Sequence, residues 1–363
     1  MKVVILATEA SGDFLGAELI KAIKKKNKKI EICGIGGEKM AREGFTSWIS
    51  IKKFNAIGIY EVLIRLFKFI KIIVFIKNKI INYSPDLIIT IDSPSFSYRI
   101  IKNIQILRNH TKFVHYVAPS VWAWKSYRAK LFSKLYDRMF TLFDFEPKYF
   151  TKYGLNTKFV GHPIFFKKDK QFKKKKLIIF LPGSRTVEIK KNMEKLKFVI
   201  DRSEKIFREF DLSILTFTQH KKLIKNYLSS DSINIETNDK EKKKIMKQAF
   251  LAVAASGSVT LELINFKTPM LVFYETHWIT SRLIKLLVKV KFASIINIVF
   301  NKQIIPEFLF ENFTTKNLIN QMEQLLNNDE ERLKQLRYFR TFSKKMLCEK
   351  KNPSELIVQH LQI

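Results

Sequence analysis

Short apolar runs alternate with longer segments of helical period along most of the chain. Lys2–Ala7 is β-branched, Glu9-Ala10-Ser11-Gly12-Asp13 reads as a turn, and Leu15–Lys26 carries apolar residues at helical spacing (Leu15, Leu19, Ala22, Ile23). Ile30–Ile35 is the next strand and ends in Gly34-Ile35-Gly36-Gly37. Pro85–Asp92 and Lys112–Val117 are further apolar strands. Strands alternating with helices predict a parallel sheet covered on both faces, and such sheets bind ligands beyond the carboxyl ends of their strands. Asp92 and the first glycine turn therefore belong to one rim.

The pattern stops at Lys167–Lys176, a run of ten residues with one apolar member, which reads as a solvated basic linker. It restarts at Leu177–Leu181, followed by Gly183-Ser184-Arg185 and a helical stretch with apolar positions Ile189, Met193, Leu196 and Ile200. Leu212–Thr216, Leu251–Ala255 and Met270–Phe273 supply more strands, and Glu330–Ile363 is helical in pattern. The expectation is an α/β protein of two doubly wound Rossmann-like halves facing each other across a cleft. The first spans 1–166, the linker 167–176 and the second 177–340, with a helix at 341–363.

Glu61–Asn82 has a helical pattern of its own. At about 100° per residue, Glu61, Arg65, Lys68, Lys71 and Lys79 share one arc, while Leu63, Leu66, Phe67, Ile70, Ile73 and Val74 lie opposite. Ile64, Ile72, Phe75 and Lys77 break the division. A helix at a bilayer surface needs such a basic face beside an apolar one. An ordinary helix packed on a sheet is the competing reading.

Charge adds a question about partners. Against 66 Lys+Arg stand 33 Asp+Glu, a net +33. This points to a polyanion, an anionic membrane face or phosphorylated substrates. Most of the excess is lysine, in a chain also rich in Ile, Asn and Phe, so compositional drift at tolerant surface positions explains much of it equally well. Cys33 and Cys348 are too few for a disulfide framework or a cysteine metal site. The first residues lack the signal-peptide pattern, and no run of 18 uncharged apolar residues occurs. A cytoplasmic protein, peripheral at most to a membrane, is expected.

Candidate chemistry clusters at strand ends. Gly183-Ser184-Arg185 lies between a strand and a helix, where free N–H groups and the helix dipole favour an anion and Arg185 offers a planar fork for phosphate. Ser256-Gly257-Ser258 is a second such turn, and Glu262, one helical turn on, is placed either for a ribose diol or simply at a helix start. Two anion-friendly turns in one half suggest a nucleotide diphosphate. Asp92, before Ser93-Pro94, is either a general base or a capping residue. His115 to Trp124 is rich in aromatics, as a sugar or acyl wall or as plain core, and His162 reads as a turn residue. No phosphate-loop, dinucleotide, zinc-finger or RNA-binding signature is present, so a nucleic-acid reading would rest on charge alone.

In their order, these motifs resemble the lipid-A-disaccharide synthase family of inverting GT-B glycosyltransferases. The resemblance runs from Glu9–Asp13 and Gly34–Gly37 with Met40 through Ile91-Asp92-Ser93-Pro94 and Tyr116–Trp124 with Arg128. It continues with Phe159–Pro163, Leu181–Arg185 with Glu188, Ala255–Glu262, Pro269-Met270 with Tyr274, and Asn297 with Pro306-Glu307. The resemblance implies a metal-independent transfer without cofactor. UDP-2,3-diacylglucosamine would glycosylate 2,3-diacylglucosamine 1-phosphate (lipid X) to give lipid A disaccharide 1-phosphate and UDP. Asp92 would be the base on the acceptor 6-hydroxyl. Gly183, Ser184 and Arg185 would hold the diphosphate, Ser256, Gly257, Ser258, Glu262 and Asn297 would complete the nucleotide site, and Ser11, Gly12 and Asp13 would line the acceptor side. It also implies association with the cytoplasmic face of the inner membrane, and a monomer or a homodimer exchanging Leu325–Ile363.

The chain departs from the family at Thr8, where Gly is common, at Ser95 and Ser97, where Asp and Asn are usual, at Ile296, where Pro is usual, and in the looser Leu142–Glu146. Ser95 and Ser97 bear on acceptor contacts. The rival readings are another GT-B enzyme, such as a UDP-sugar 2-epimerase or a lipid-linked N-acetylglucosaminyltransferase, and a basic nucleic-acid-binding module. An epimerase needs neither the apolar basic helix nor the Asp92-Ser93-Pro94 motif.

Overall fold

The computed structural model describes residues 1–51, 54, 62–166, 172–275, 290–349 and 351–363, and within the helix Val62–Tyr83 the side chains from 69 onward. The chain divides into two compact units, one formed by Met1–Phe166 with Lys345–Ile363 and the other by Lys167–Lys344.

In the first unit, β1 (Lys2–Ala7), β2 (Glu31–Gly36), β3 (Thr46–Ser50), β4 (Leu87–Ile91), β5 (Lys112–Tyr116), β6 (Arg138–Thr141) and β7 (Asn156–Phe159) form one sheet in the order β3-β2-β1-β4-β5-β6-β7. The pairings are parallel. The near-continuous apolar runs of β1 and β4 follow from burial on both faces: Val3–Ala7 and Leu87–Ile91 are buried throughout. β1 lies between β2 and β4, so the strand order reverses there. The register pairs Ala7 with Ile91, bringing Thr8–Ser11 and Asp92-Ser93 to the same carboxyl rim.

The expected turn at Glu9–Asp13 is a helix start instead. The helix runs Ala10–Lys26, and Gly12 and Asp13 are buried in its first turn. The reason is close packing: a Cβ on Gly12 would stand 3.2 Å from Ala7 Cβ and 3.4 Å from Ile91 O. A glycine here lets the helix begin directly on the sheet.

The helix Val62–Tyr83 packs Ile76 and Ile80 into the core, with Phe69, Ile72 and Ile73 half-buried against it. Ile70, Val74 and Phe75 are exposed beside exposed Lys71 and Lys79, and the Lys79 Nζ lies 5.9 Å from the Phe75 ring. The described part thus has a core stripe and an outer face mixing apolar and cationic residues. Glu61 and the side chains of Arg65 and Lys68 lie outside the described residues. Among the described residues no helix is long and apolar enough to cross a membrane.

In the second unit, β8 (Leu177–Leu181), β9 (Asp211–Leu215), β10 (Asn234–Glu236), β11 (Leu251–Ala255), β12 (Met270–Tyr274) and β13 (Glu307–Leu309) pair in the order β10-β9-β8-β11-β12-β13, again parallel. β8 sits where the order reverses, and Leu181 pairs with Ala254. The turns after β8 and β11 therefore share a rim.

Where it is described, the basic run is exposed except at Lys174, which is half-buried. Lys174 Nζ donates to Thr268 Oγ1 at 2.7 Å and to Lys247 O at 2.9 Å, and Lys175 N–H donates to Gln248 O at 2.8 Å. Carbonyls left at the ends of neighbouring elements attract the cation, and burial lowers the Lys174 pKa to about 8. Residues 167–171 lie outside the described residues. The chain end returns to the first unit. The helix Pro353–Leu361 packs on Ala10–Lys26, Lys25 pairs with Glu355 at 2.8 Å, and Leu347 bridges to Gly161.

Candidate active site

The rim of the first sheet concentrates polar groups on Asp92. The residue follows β4 directly, and its N–H donates to Tyr116 O at 2.9 Å. Asp92 and Ser93 both take left-handed backbone, at φ 56° and 47°, before Pro94 opens the helix Pro94–Asn103. Two consecutive non-glycine residues in this region are strained, and strain of this kind collects where a side chain must be aimed. Ser93 N–H donates to Asp92 Oδ1 at 2.8 Å, Ser97 Oγ donates to Asp92 O at 2.8 Å, and Ser11 Oγ donates to Asp92 Oδ2 at 3.3 Å. Behind them Thr8 Oγ1 donates to Ser93 Oγ at 2.7 Å, and Ser93 Oγ donates to Glu9 Oε1 at 3.3 Å. Burial raises the Asp92 pKa, and the charge of Glu9 adds to it, while the hydrogen bonds from Ser93 and Ser11 pull the other way.

Of the three residues expected on the acceptor side, Ser11 alone reaches Asp92. Gly12 is a packing residue. Asp13 turns inward, where it is 4% exposed: Oδ1 accepts Gly37 N–H at 2.8 Å and Met40 N–H at 3.0 Å, and Oδ2 accepts Lys39 N–H at 3.0 Å. Those are the open amides at the start of the helix Glu38–Arg42, so the carboxylate is a cap rather than a substrate ligand.

A cavity of 280 Å³ opens beside Asp92, lined also by Val117, Pro119, Trp124, Arg128, Phe143 and Glu146. Glu146 is 3% exposed; Oε1 accepts the Trp122 indole N–H and Oε2 the Phe143 N–H, both at 3.2 Å. Burial pushes its pKa up to about 8. The aromatic stretch divides: Trp124 walls the cavity, whereas Trp122 packs edge-on against Phe145, 5.4 Å between centroids. His115 is core. It is fully buried, its Nδ1 stands 2.7 Å from Thr90 Oγ1, and burial lowers its pKa to about 3. His162, with Nδ1 accepting Ile164 N–H at 3.2 Å, orders a turn as expected.

In the second unit Gly183 has φ +120°, and a Cβ there would meet the Glu188 carboxyl at 2.7 Å. The carboxylate folds back over the turn, accepting Ser184 N–H at 3.1 Å and Arg185 N–H at 3.3 Å. The amides expected to cradle phosphate thus hold an internal anion, a capping box at the start of the helix Thr186–Ile206. Tyr274 is close enough for Glu188 to raise and Arg185 to lower its pKa, after the larger upward effect of burial. Gly257 and Ser258 are exposed, and a Cβ on Gly257 would meet nothing within 4 Å. Glu262 is half-buried in the first turn of Val259–Asn265.

Asn297 points into the protein. It is fully buried, Nδ2 donates to Ile305 O and Glu307 Oε1 at 2.8 Å each, and Oδ1 accepts Ile304 N–H at 2.8 Å and Ile305 N–H at 3.0 Å. Every hydrogen-bonding position of the amide is used. Among the described residues no group of three or more His, Cys, Asp or Glu is placed to hold a metal ion.

The family model described as lipid-A-disaccharide synthetase matches residues 3–361. The chain belongs to the lipid-A-disaccharide synthase family. It is 38% identical over 351 residues to the lipid-A-disaccharide synthase of Rickettsia prowazekii, covering 92% of this chain and 91% of that one. It is also 38% identical to the synthase of Rickettsia akari, covering 92% and 88%. Similar folds occur in a UDP-GlcNAc 2-epimerase from Neisseria meningitidis bound to UDP-GlcNAc (13% identity, TM-score 0.64, both chains fully covered). The spinosyn rhamnosyltransferase SpnG is another (9%, TM-score 0.64, both chains fully covered). The fold is thus that of GT-B glycosyltransferases and epimerases, and the family makes this chain a glycosyltransferase of lipid A biosynthesis using a UDP-sugar type of substrate.

Family membership leaves the individual side chains to geometry. Arg128, Glu188 and Glu307 were visible in the sequence only as members of matching motifs, and Glu146 only as the end of a looser one.

Proposed function

We propose that the chain transfers the sugar of UDP-2,3-diacylglucosamine to the 6-hydroxyl of 2,3-diacylglucosamine 1-phosphate. Asp92 takes the hydroxyl proton, the oxygen forms a bond to the donor's anomeric carbon with inversion, and the bond from that carbon to the diphosphate breaks. UDP departs with its new charge met by Arg185 and by the N–H groups of the Gly183 turn and of Gly257 and Ser258, an electrostatic stabilisation aimed at the leaving group. The diphosphate replaces the Glu188 carboxylate on the Ser184 and Arg185 amides. Glu262 takes the ribose.

The observation that carries the reading is the setting of Asp92. A carboxylate with a raised pKa stands at a cavity wall, aimed by two strained residues, with Oδ2 held by one exposed hydroxyl. The outer face of Val62–Tyr83 supports docking on the cytoplasmic face of the inner membrane, its apolar residues entering the acyl boundary beside Lys71 and Lys79. The chain acts as a monomer or as a homodimer.

The test incubates purified protein with both lipids in detergent micelles containing a chelator and analyses the products by mass spectrometry. Disaccharide 1-phosphate and UDP in equal amounts support the reading. Release of UDP without disaccharide, or no reaction, removes it.

A further inference from the structure

The cavity beside Asp92 has a cationic wall that this chemistry leaves unused. Among the described residues lining it, Arg128 is the one cation, facing Asp92 and Glu146 as the two carboxyl groups. Arg128 is half-buried at the start of the helix Arg128–Leu135. Its Nη2 donates to Ser95 Oγ at 3.0 Å, and its guanidinium carbon lies 5.5 Å from the Trp124 ring centroid. No described carboxylate forms an ion pair with it. A guanidinium carries five N–H donors, so most of this fork remains for a ligand. Lys125 Nζ, 4.3 Å from the same Trp124 ring, adds positive charge at the rim.

We infer that Arg128 is the subsite for the phosphate of the acceptor sugar, and so the residue by which the enzyme tells a phosphorylated acceptor from an unphosphorylated one. The inference rests on the transfer reading above and deepens it. A planar fork matches a phosphate through two parallel hydrogen bonds, which a point charge does not. The nearby Trp124 ring and the bond to Ser95 restrict that fork before the ligand arrives. The cavity has nearly twice the volume of one that holds benzene, about 150 Å³, so one sugar ring fits within it. The Asp92 carboxylate repels a phosphate from its own part of the wall. An acceptor therefore enters with its phosphate at Arg128 and presents its far hydroxyl to Asp92, which fixes the regiochemistry of transfer as well as the choice of acceptor.

The experiment compares a short-acyl glucosamine 1-phosphate with the same compound lacking phosphate, in neutral detergent without anionic lipid. Turnover is followed in one arm and binding by titration calorimetry in the other. For wild type, the phosphorylated compound binds more tightly and has the higher kcat/KM. In R128Q its KM and Kd rise about 10–100-fold, the span expected for a lost charge-assisted pair, and the preference for phosphate falls close to one. R128K recovers part of it. UDP affinity, measured on each variant, stays within about twofold and reports the fold. Equal losses on both compounds, or an undiminished preference in R128Q, overturn the subsite. A wild type that binds with phosphate preference but forms no disaccharide removes the transfer reading and leaves the subsite standing.

Discussion

Asn297 Nδ2 donates to Glu307 Oε1 at 2.8 Å, and that carboxylate also receives the N–H of Ala293 and Ser294, at 2.8 Å each, and the Ser294 hydroxyl. With Asn297 Oδ1 on two amides, the pair clamps the helix Ile295–Phe300 to the strand β13. An Asn297→Ala variant leaves buried donors and acceptors without partners. It should cost about 2–4 kcal/mol in chemical denaturation followed by tryptophan fluorescence. Activity and UDP affinity should return when the folded fraction is corrected for. A variant of normal stability that no longer binds UDP would restore Asn297 to the nucleotide site.

Asp13 makes a similar claim in the other unit. Its three backbone bonds cap Glu38–Arg42, so Asp13→Ala should lower stability by about 1–3 kcal/mol. The acceptor KM of the folded enzyme should change by less than about twofold. A large KM effect at unchanged melting temperature would show that the carboxylate touches substrate.

What the sequence showed of both residues was their place, not their direction. The strands, the restart after the basic run and the rim positions of Asp92 and Gly183 were legible because burial on both faces writes apolar runs, and parallel order puts every strand's carboxyl end on one side. Asp13 and Asn297 lie in motifs beside that rim, yet each points into the protein. A motif cannot say whether a polar side chain serves a ligand or an amide of its own backbone, since both demand the same chemistry. Lys174 shows the same gap: in a run of lysines nothing marks the one that a later carbonyl cluster will bury.

Asp92→Asn removes the base and keeps the shape. Turnover should fall about 10²–10⁴-fold, with UDP affinity within about twofold. Because its pKa is raised, the acid limb of the kcat profile should lie above that of an exposed aspartate, activity falling as the carboxylate gains its proton. Ser11→Ala withdraws a bond to the ionised form and should shift the limb further up. A limb unmoved in Ser11→Ala would detach Asp92 from the rate.

Glu188 competes with the proposed diphosphate for the Ser184 and Arg185 amides. Glu188→Ala should lose about 0.5–2 kcal/mol of stability with its cap, yet bind UDP at least as tightly as wild type in calorimetry. Weaker binding would mean that Glu188 contacts the nucleotide itself.

Glu146 sets a pH dependence that can be signed. Its folded pKa of about 8 stands above the ordinary 4.5, so the protonated form is favoured by folding. The stability it contributes is fully present below about pH 4.5 and is lost as pH rises through 8. Glu146→Gln carries no titrating proton but gives up one of the two accepted bonds, from Trp122 or Phe143, because its amide nitrogen cannot accept. At pH 6 the wild type should therefore be the more stable protein. Between pH 6 and pH 9 its advantage over the variant should shrink by about 3 kcal/mol, the linkage value for a buried group titrating near 8. Denaturant titrations of both proteins at four pH values in that window measure the difference directly. A gap that is constant with pH would place the Glu146 pKa below 6 and leave a second anion facing the acceptor cavity at neutral pH.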